Sequence, residues 1–201
     1  MSAVFDIQLY YKKFIPFSTI SNLVIKEGAS YAIDSLEIID NWRYENQKML
    51  EYDEITNLQH FIDAGKIVII EGRLERRHNF GIYYLKTVND IYSLNLWIST
   101  KNIPMLDKDI VDGENSAIYD TLTKDIIQTI EKSYLVLCAL GAETVINDDD
   151  LGKNIFSASR NVSEWIVTDE KEVSLLDEFT KFLYNDFLVC RKTSIPVLLS
   201  K

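Results

Sequence analysis

The chain has 201 residues, of which 47% are apolar and 26% are charged, so it can form a core and is not intrinsically disordered. Its 21 basic and 31 acidic residues give a net charge of −10, which disfavours nucleic acid and anionic membranes as partners and favours a basic protein. This length fits one domain, and we predict a single domain over residues 1–201.

The sequence predicts a soluble, cytoplasmic protein. Its first residues lack the basic segment and the apolar run of a secretory signal. The longest apolar run, from Tyr134 to Leu140, is shorter than the roughly 18–20 residues that a membrane-spanning helix needs. In a reducing compartment Cys138 and Cys190 should be two partly buried thiols rather than a disulfide.

Two strands and a short helix are predicted in the first third of the chain. Val4–Tyr11 is rich in residues that favour strands, and Leu23–Ile25 is interpreted as a second strand. Residues 34–50 fit neither period clearly and stay unassigned. Asp53 is interpreted as the N-cap of a helix that ends at Gly65, a residue that adopts the left-handed conformation readily.

An antiparallel meander is predicted over residues 66–99, where the hydrophobic period changes to that of strands. Its three strands are assigned to residues 67–70, 82–88 and 92–98. The turns between them are assigned to residues 78–81 and to Asn89-Asp90.

The second half of the chain adds two predicted helices and two predicted strands. Residues 114–132 have apolar side chains at the spacing of a helix face, and residues 172–187 are assigned to another helix. Residues 135–140 are apolar on both faces and predict an interior strand, and residues 163–168 predict a further strand. Together these elements predict an α+β fold: a single domain, mainly antiparallel sheet with helices packed on one face.

The chain offers few residues for catalysis or metal binding. His60 and His78 have no His or Cys at a metal-ligand spacing, and both are interpreted as structural. Residues 147–152 resemble the start of a calcium loop, but Ala158 would occupy the position of the bidentate carboxylate. We therefore predict no catalytic residue, no cofactor and no metal site.

Two acidic stretches are the candidate surface for a basic partner. They consist of Asp107, Asp109, Asp112 and Glu114, and of Asp148, Asp149 and Asp150. Residues 101–201 have 11 basic and 18 acidic side chains, so this half carries −7 of the net charge. Solvated faces without a partner can have the same composition, and whether the stretches meet in space is left open. Trp97 either packs under a helix or anchors the partner.

The order of the elements and the charge also suggest a type of protein. The meander ends at Leu96-Trp97-Ile98, and an acidic loop, a helix with Ile118-Tyr119 and a buried strand ending in Gly141-Ala142-Glu143 follow it. This layout resembles small acidic bacterial proteins of the toxin-immunity type. The resemblance implies a non-catalytic protein that binds and neutralises a basic toxin. A subunit of a bacterial or phage assembly and an enzyme or small-molecule-binding domain stay open as alternatives, and the oligomeric state is not predicted.

Overall fold

The computed structural model describes residues 3–24, 30–75, 77–87, 89–101, 103–146, 155–168 and 176–193. Within these ranges the chain forms one antiparallel sheet with helices, which confirms the predicted α+β fold. The strands are β1 (Val4–Tyr11), β2 (Tyr31–Ile39), β3 (Lys48–Met49), β4 (Ile67–Leu74), β5 (His78–Lys86), β6 (Tyr92–Ser99), β7 (Leu135–Ala142), β8 (Glu164–Val167), β9 (Thr180–Tyr184) and β10 (Phe187–Arg191). The α-helices are α1 (Phe17–Val24), α2 (Leu58–Asp63), α3 (Ser116–Thr129) and α4 (Ile155–Ala158).

The strand order is β3-β2-β4-β5-β6-β1-β7-β8-β10-β9, with β1 in the interior. The predicted meander is confirmed, because β4, β5 and β6 are successive antiparallel neighbours. β1 pairs with β6 on one side and with β7 on the other. The first strand of the chain therefore joins the two halves of the sheet. β7 lies between β1 and β8, the interior position that its apolar sequence predicts.

Alternate residues of β1 contribute to the main core of the protein. Phe5, Ile7 and Leu9 point to the side of the sheet on which α1, α2 and α3 pack, which we call the helix face. The helices bury Phe17, Ile20 and Leu23 of α1, Leu58 and Ile62 of α2, and Tyr119, Ile126 and Ile127 of α3. Within the described ranges, every helix is too short or too polar to cross a bilayer.

The opposite side of the sheet, which we call the groove face, has two apolar clusters with polar residues between them. One cluster packs Tyr10, Leu137 and Trp165 against Ile155 of α4. The other consists of Ile39, Ile67 and Ile69, with Tyr83 and Leu85 packed against it. The strip between the clusters runs over β1, β6 and β5, and it is the part of the sheet that neither cluster covers.

A buried ion pair joins α3 to the last strands on the helix face. Glu164 is fully buried, and its carboxylate accepts hydrogen bonds from the Arg191 guanidinium and the Thr123 hydroxyl. Another nitrogen of Arg191 donates to Asp120 at 2.6 Å. A carboxylate removed from water needs such partners to remain ionised at low cost, and Glu164 has them.

The helix predicted over residues 172–187 is wrong. Residues 171–175 lie outside the described ranges, and from Thr180 onward the chain forms the hairpin of β9 and β10. Asn185 and Asp186 have φ angles of 46° and 67°, the backbone of a two-residue type I′ hairpin turn. The apolar residues here fit a helix period and a strand period, and the turn residues decide in favour of the hairpin.

The strand predicted at Leu23–Ile25 is also wrong, since Leu23 belongs to α1. Phe17, Ile20 and Leu23 have the three-residue spacing of a helix face, and all three are buried. Ile25 lies outside the described ranges. The unassigned stretch 34–50 contains the end of β2 and all of β3.

The predicted N-cap before α2 and one predicted turn differ from the structure, and two other predicted features are confirmed. Asp53 is not the N-cap, because it lies inside a 3₁₀ helix, Tyr52–Asn57, that precedes α2. Glu51 is the N-cap of this 3₁₀ helix, and its N–H donates to the Glu54 carboxylate at 2.9 Å. Gly65 has a φ of 79° after α2, which confirms the left-handed stop. Residues 78–81 belong to β5, and the turn precedes them at Glu75, whose φ is 49°. The turn at Asn89-Asp90 is confirmed.

Truncation of an interior side chain tests the position of β7. Leu137→Ala removes buried apolar atoms and leaves a cavity, so we expect the free energy of unfolding to fall by about 2–5 kcal/mol in urea titration. Leu183 of the edge strand β9 is 66% exposed, and Leu183→Ala should change that free energy by less than about 0.5 kcal/mol. A loss under about 1 kcal/mol for Leu137→Ala would contradict the interior position.

Candidate functional site

Two rows of side chains cross the polar strip of the groove face. In the first row Asp6 of β1 is paired with Trp97 of β6. In the second row Gln8 is paired with Asn95, and Asn95 is paired with Tyr83 of β5. Directly paired residues on one face have Cβ atoms about 4.5–5.5 Å apart. The register therefore collects an acid, two amides and two aromatic rings in one small area.

Two glycines shape the space around these rows. A Cβ at Gly81 would collide with the Trp97 indole, so this ring lies directly on the backbone of β5. A Cβ at Gly141 of β7 would collide with a neighbouring backbone carbonyl and crowd the Thr144 hydroxyl. Because both side chains are missing, the indole and the loop 143–146 can approach the sheet closely.

Two loops form walls on either side of the rows. Loop 40–47, between β2 and β3, places Trp42 edge-to-face against Tyr83, with ring centroids 5.5 Å apart. Loop 143–146 places Thr144 and Val145 on the β7 side. Trp42 and Val145 are 52% and 57% exposed, so large apolar side chains border a polar floor.

The rows and the walls line two adjoining open cavities of about 270 and 450 Å³, which share Tyr83, Asn95 and Thr144. We call this region the groove. Its main residues are Asp6, Gln8, Trp42, Tyr83, Asn95, Trp97, Glu143, Thr144 and Val145.

Asp6 is the buried charged residue of the groove floor and is only 6% exposed. Its Oδ2 accepts the Thr144 N–H at 2.9 Å, and the Asn95 side chain donates a second hydrogen bond. Burial raises the pKa of Asp6 from 3.8 to about 6 despite these bonds, and the Glu143 carboxylate adds to the increase. No cation in the described ranges pairs with Asp6, so at neutral pH the floor holds a buried negative charge that none of these residues compensates.

Oδ1 of Asn95 is buried without a hydrogen-bond partner in the described part of the chain. The indole N–H of Trp97 is also buried, and it has the Tyr83 hydroxyl as a hydrogen-bond partner. Leaving such an atom unpaired costs about 1–3 kcal/mol, and most buried polar groups in proteins are paired. The groove therefore offers a ligand the Asp6 carboxylate and the rings of Tyr83 and Trp97.

The first acidic stretch that the sequence suggested does not line the groove. The Lys108 ammonium pairs with the Asp112 and Glu114 carboxylates, at 2.7 and 2.6 Å. Two of the four acidic side chains of this stretch therefore share a nearby cation. Asp112 also accepts the Glu114 N–H at 2.9 Å, which stabilises the turn before α3. Asp107 and Asp109 are exposed. The structure thus gives Asp112 and Glu114 a local structural role.

The second acidic stretch, Asp148 to Asp150, lies outside the described ranges, so its distance from the first is not tested. Trp97, the remaining candidate, does lie in the groove. Its indole packs on Gly81, and none of the residues lining the cavity around it belongs to a described helix. Its role as an anchor for a partner stays a proposal.

Sequence reasoning missed Asp6, Gln8, Asn95 and Tyr83 as site residues. A signal for two of them is present in the sequence, because Asp6 and Gln8 alternate with apolar residues along β1. They therefore lie on the opposite face of the strand from its apolar side chains. What the sequence cannot show is the register that sets Gln8 beside Asn95 and Tyr83, since that depends on strands far apart in the chain.

The usual catalytic residues lie away from the groove. His60 contacts the Phe61 ring on α2, and Cys138 and Cys190 are both free, as predicted, and fully buried. In the described ranges no three His, Cys, Asp or Glu side chains converge as metal ligands. No family model, no curated protein and no solved structure matches the chain.

The raised pKa of Asp6 predicts a pH-dependent effect of Asp6→Asn. Between about pH 4 and pH 6 the folded protein keeps a proton that the unfolded chain has released, so the wild type loses stability as the pH rises. Asn keeps an acceptor for Thr144 without the charge. The quantity to compare is the free energy of unfolding of Asp6→Asn minus that of the wild type. We expect this difference to be more positive near pH 8 than near pH 4 by on the order of 3 kcal/mol.

Asp112→Asn is the matched control for this measurement. The hydrogen bond from Lys108 lowers the pKa of Asp112, so its charge stabilises the fold above the unfolded-state pKa and this contribution is lost at low pH. Near pH 8 Asp112→Asn should therefore be less stable relative to the wild type than it is at low pH, whereas Asp6→Asn should be more stable relative to the wild type than it is at low pH. If Asp6→Asn were equally destabilising near pH 8, Asp6 would already have a cationic partner within the chain.

Proposed function

We propose that this protein is a non-catalytic binding domain that holds a basic protein partner in the groove, in the manner of a bacterial immunity protein. The observation that carries the proposal is the Asp6 carboxylate, which is buried in the groove floor without a counter-ion from the described residues. A partner's cation would stabilise this carboxylate and complete its surroundings.

The rim of the groove supports a protein as the occupant. Trp42 and Val145 expose apolar surface next to the polar floor, and a partner would cover that surface. Buried aromatic anchors with a few polar contacts are typical of the centre of a protein interface. A free small molecule in the cavities would leave much of the rim in water.

The overall charge supports a basic partner. A net charge of −10 attracts cationic proteins over distances of about a Debye length and so raises the association rate. The exposed Asp107 and Asp109 would contribute to this attraction without direct contact. In this proposal the groove determines the affinity for the partner, and the acidic surface raises the association rate.

The experiment starts with capture of basic proteins from the lysate of the native host and purification of each captured partner. Its association and dissociation are then measured with the wild type, Asp6→Asn and Trp42→Ala. We expect each variant to weaken binding by about tenfold or more, mainly through faster dissociation. The double variant Asp107→Asn/Asp109→Asn is the control and should mainly slow association at low salt. Equal affinity of the partner for the wild type and both groove variants would reject the groove as the binding site.

The immunity interpretation has a separate test in cells. The captured partner is expressed alone and together with the wild type or Asp6→Asn. We expect the partner to stop growth when it is expressed alone, the wild type to restore growth, and Asp6→Asn to restore it only weakly at equal expression. A partner that has no effect on growth would contradict the immunity interpretation and leave the binding function in place.

A further inference from the structure

We propose that the groove binds the side chain of one arginine of the partner, with the guanidinium on the Asp6 carboxylate and its plane against the aromatic rings of the groove. This inference rests on the function proposed above and names the chemical group that the groove recognises. Its support comes from the acceptors, the aromatic side chains and the charge of the groove.

The acceptors of the floor fit the donors of a guanidinium. Asp6 uses Oδ2 for the Thr144 N–H, and its carboxylate has further lone pairs for a ligand. Oδ1 of Asn95, which has no partner, is a diagonal neighbour of Asp6 on the adjacent strand. A guanidinium has five N–H donors in a fixed planar fork, so two of them can bind the Asp6 carboxylate together.

The aromatic residues provide a surface for the guanidinium plane. The Trp97 indole lies on Gly81, so the backbone covers part of the ring and the rest of it lines the cavity. Tyr83 lines both cavities and is held in place by its edge-to-face contact with Trp42. Cations are attracted to the faces of such rings, and arginine can also stack on them.

The charge of the groove requires a cationic ligand, and its shape favours arginine over lysine. Asp6 and Glu143 supply two carboxylates, and the cavity-lining residues in the described ranges include no Lys, Arg or His. A lysine ammonium would neutralise the charge, but it is more strongly hydrated and cannot stack on a ring. The guanidinium loses less hydration than an ammonium and can stack on the aromatic rings of the groove.

The test uses the isotope-labelled full chain and blocked single amino acids as probes. These are N-acetylarginine methylamide, the corresponding lysine compound and the corresponding citrulline compound, which has the shape of arginine without its charge. The readout is the NMR signal of the Trp97 indole N–H, assigned with Trp97→Phe. Trp165 lies buried in the other cluster and serves as the internal reference. We expect saturable binding of the arginine probe, about tenfold tighter than that of either other probe, and about tenfold weaker in Asp6→Asn.

The pH dependence of this binding provides a second readout. The other titratable groups near Asp6 are Glu143 on the loop and Tyr83 on β5. Protonation of Asp6 should weaken binding of the arginine probe as the pH falls below about 6. Glu143→Gln should reduce the affinity only slightly and keep this dependence, whereas Asp6→Asn should abolish it.

Several outcomes would reject the inference, and one would reject the proposed function while keeping arginine recognition. Equal binding of arginine and citrulline, tighter binding of lysine, or no saturable shift in the wild type would overturn it. A captured partner that depends on Asp6, together with an inactive arginine probe, would keep the proposed function and reject arginine as the recognised group. An active arginine probe, together with a partner that ignores Asp6, would reject the proposed function and keep the groove as an arginine site.

Discussion

The pairing of β1 with both β6 and β7 is the constraint on which the rest of the structure depends. β1 joins five strands on one side to four on the other, and its two faces have different compositions. Phe5, Ile7 and Leu9 enter the core beneath the helices. Asp6 and Gln8 occupy the opposite face, and the register that builds the core also sets them beside the side chains of β6. Fold and groove are therefore products of the same strand.

Asp6 and Glu164 are buried carboxylates with different surroundings. Glu164 is the first residue of β8, and burial raises its pKa, but the Arg191 guanidinium and the Thr123 hydroxyl oppose that increase and pair with its charge. Asp6 has only neutral donors, and its pKa is raised to about 6 by burial. A chain selected for stability alone would have an amide at position 6, because an uncompensated buried charge is costly. In the proposed function, the ligand supplies the cation that Asp6 lacks among the described residues.

The sequence predicts the local elements with a clear period and fails where two periods fit the same residues. The meander 66–99, the helix that became α3 and the interior β7 follow from their patterns. The hairpin of β9 and β10 was mistaken for a helix because its aromatic residues fit both periods. The acidic stretch near Glu114 was visible as a charge run, but only the structure shows that Lys108 neutralises part of it. Asp6 was missed because a single acid in a strand carries no motif, and its meaning comes from burial and register.

The most direct measurement is the pKa of Asp6 in the free protein, obtained from the NMR shift of its carboxyl carbon over a pH titration and assigned with Asp6→Asn. A carboxylate buried without a counter-ion should titrate at about 6. Bound partner should lower this pKa, since a cation favours the ionised form. A pKa at or below the ordinary value of 3.8 in the free protein would show that Asp6 is already compensated, and it would contradict the central claim that the groove awaits a cation.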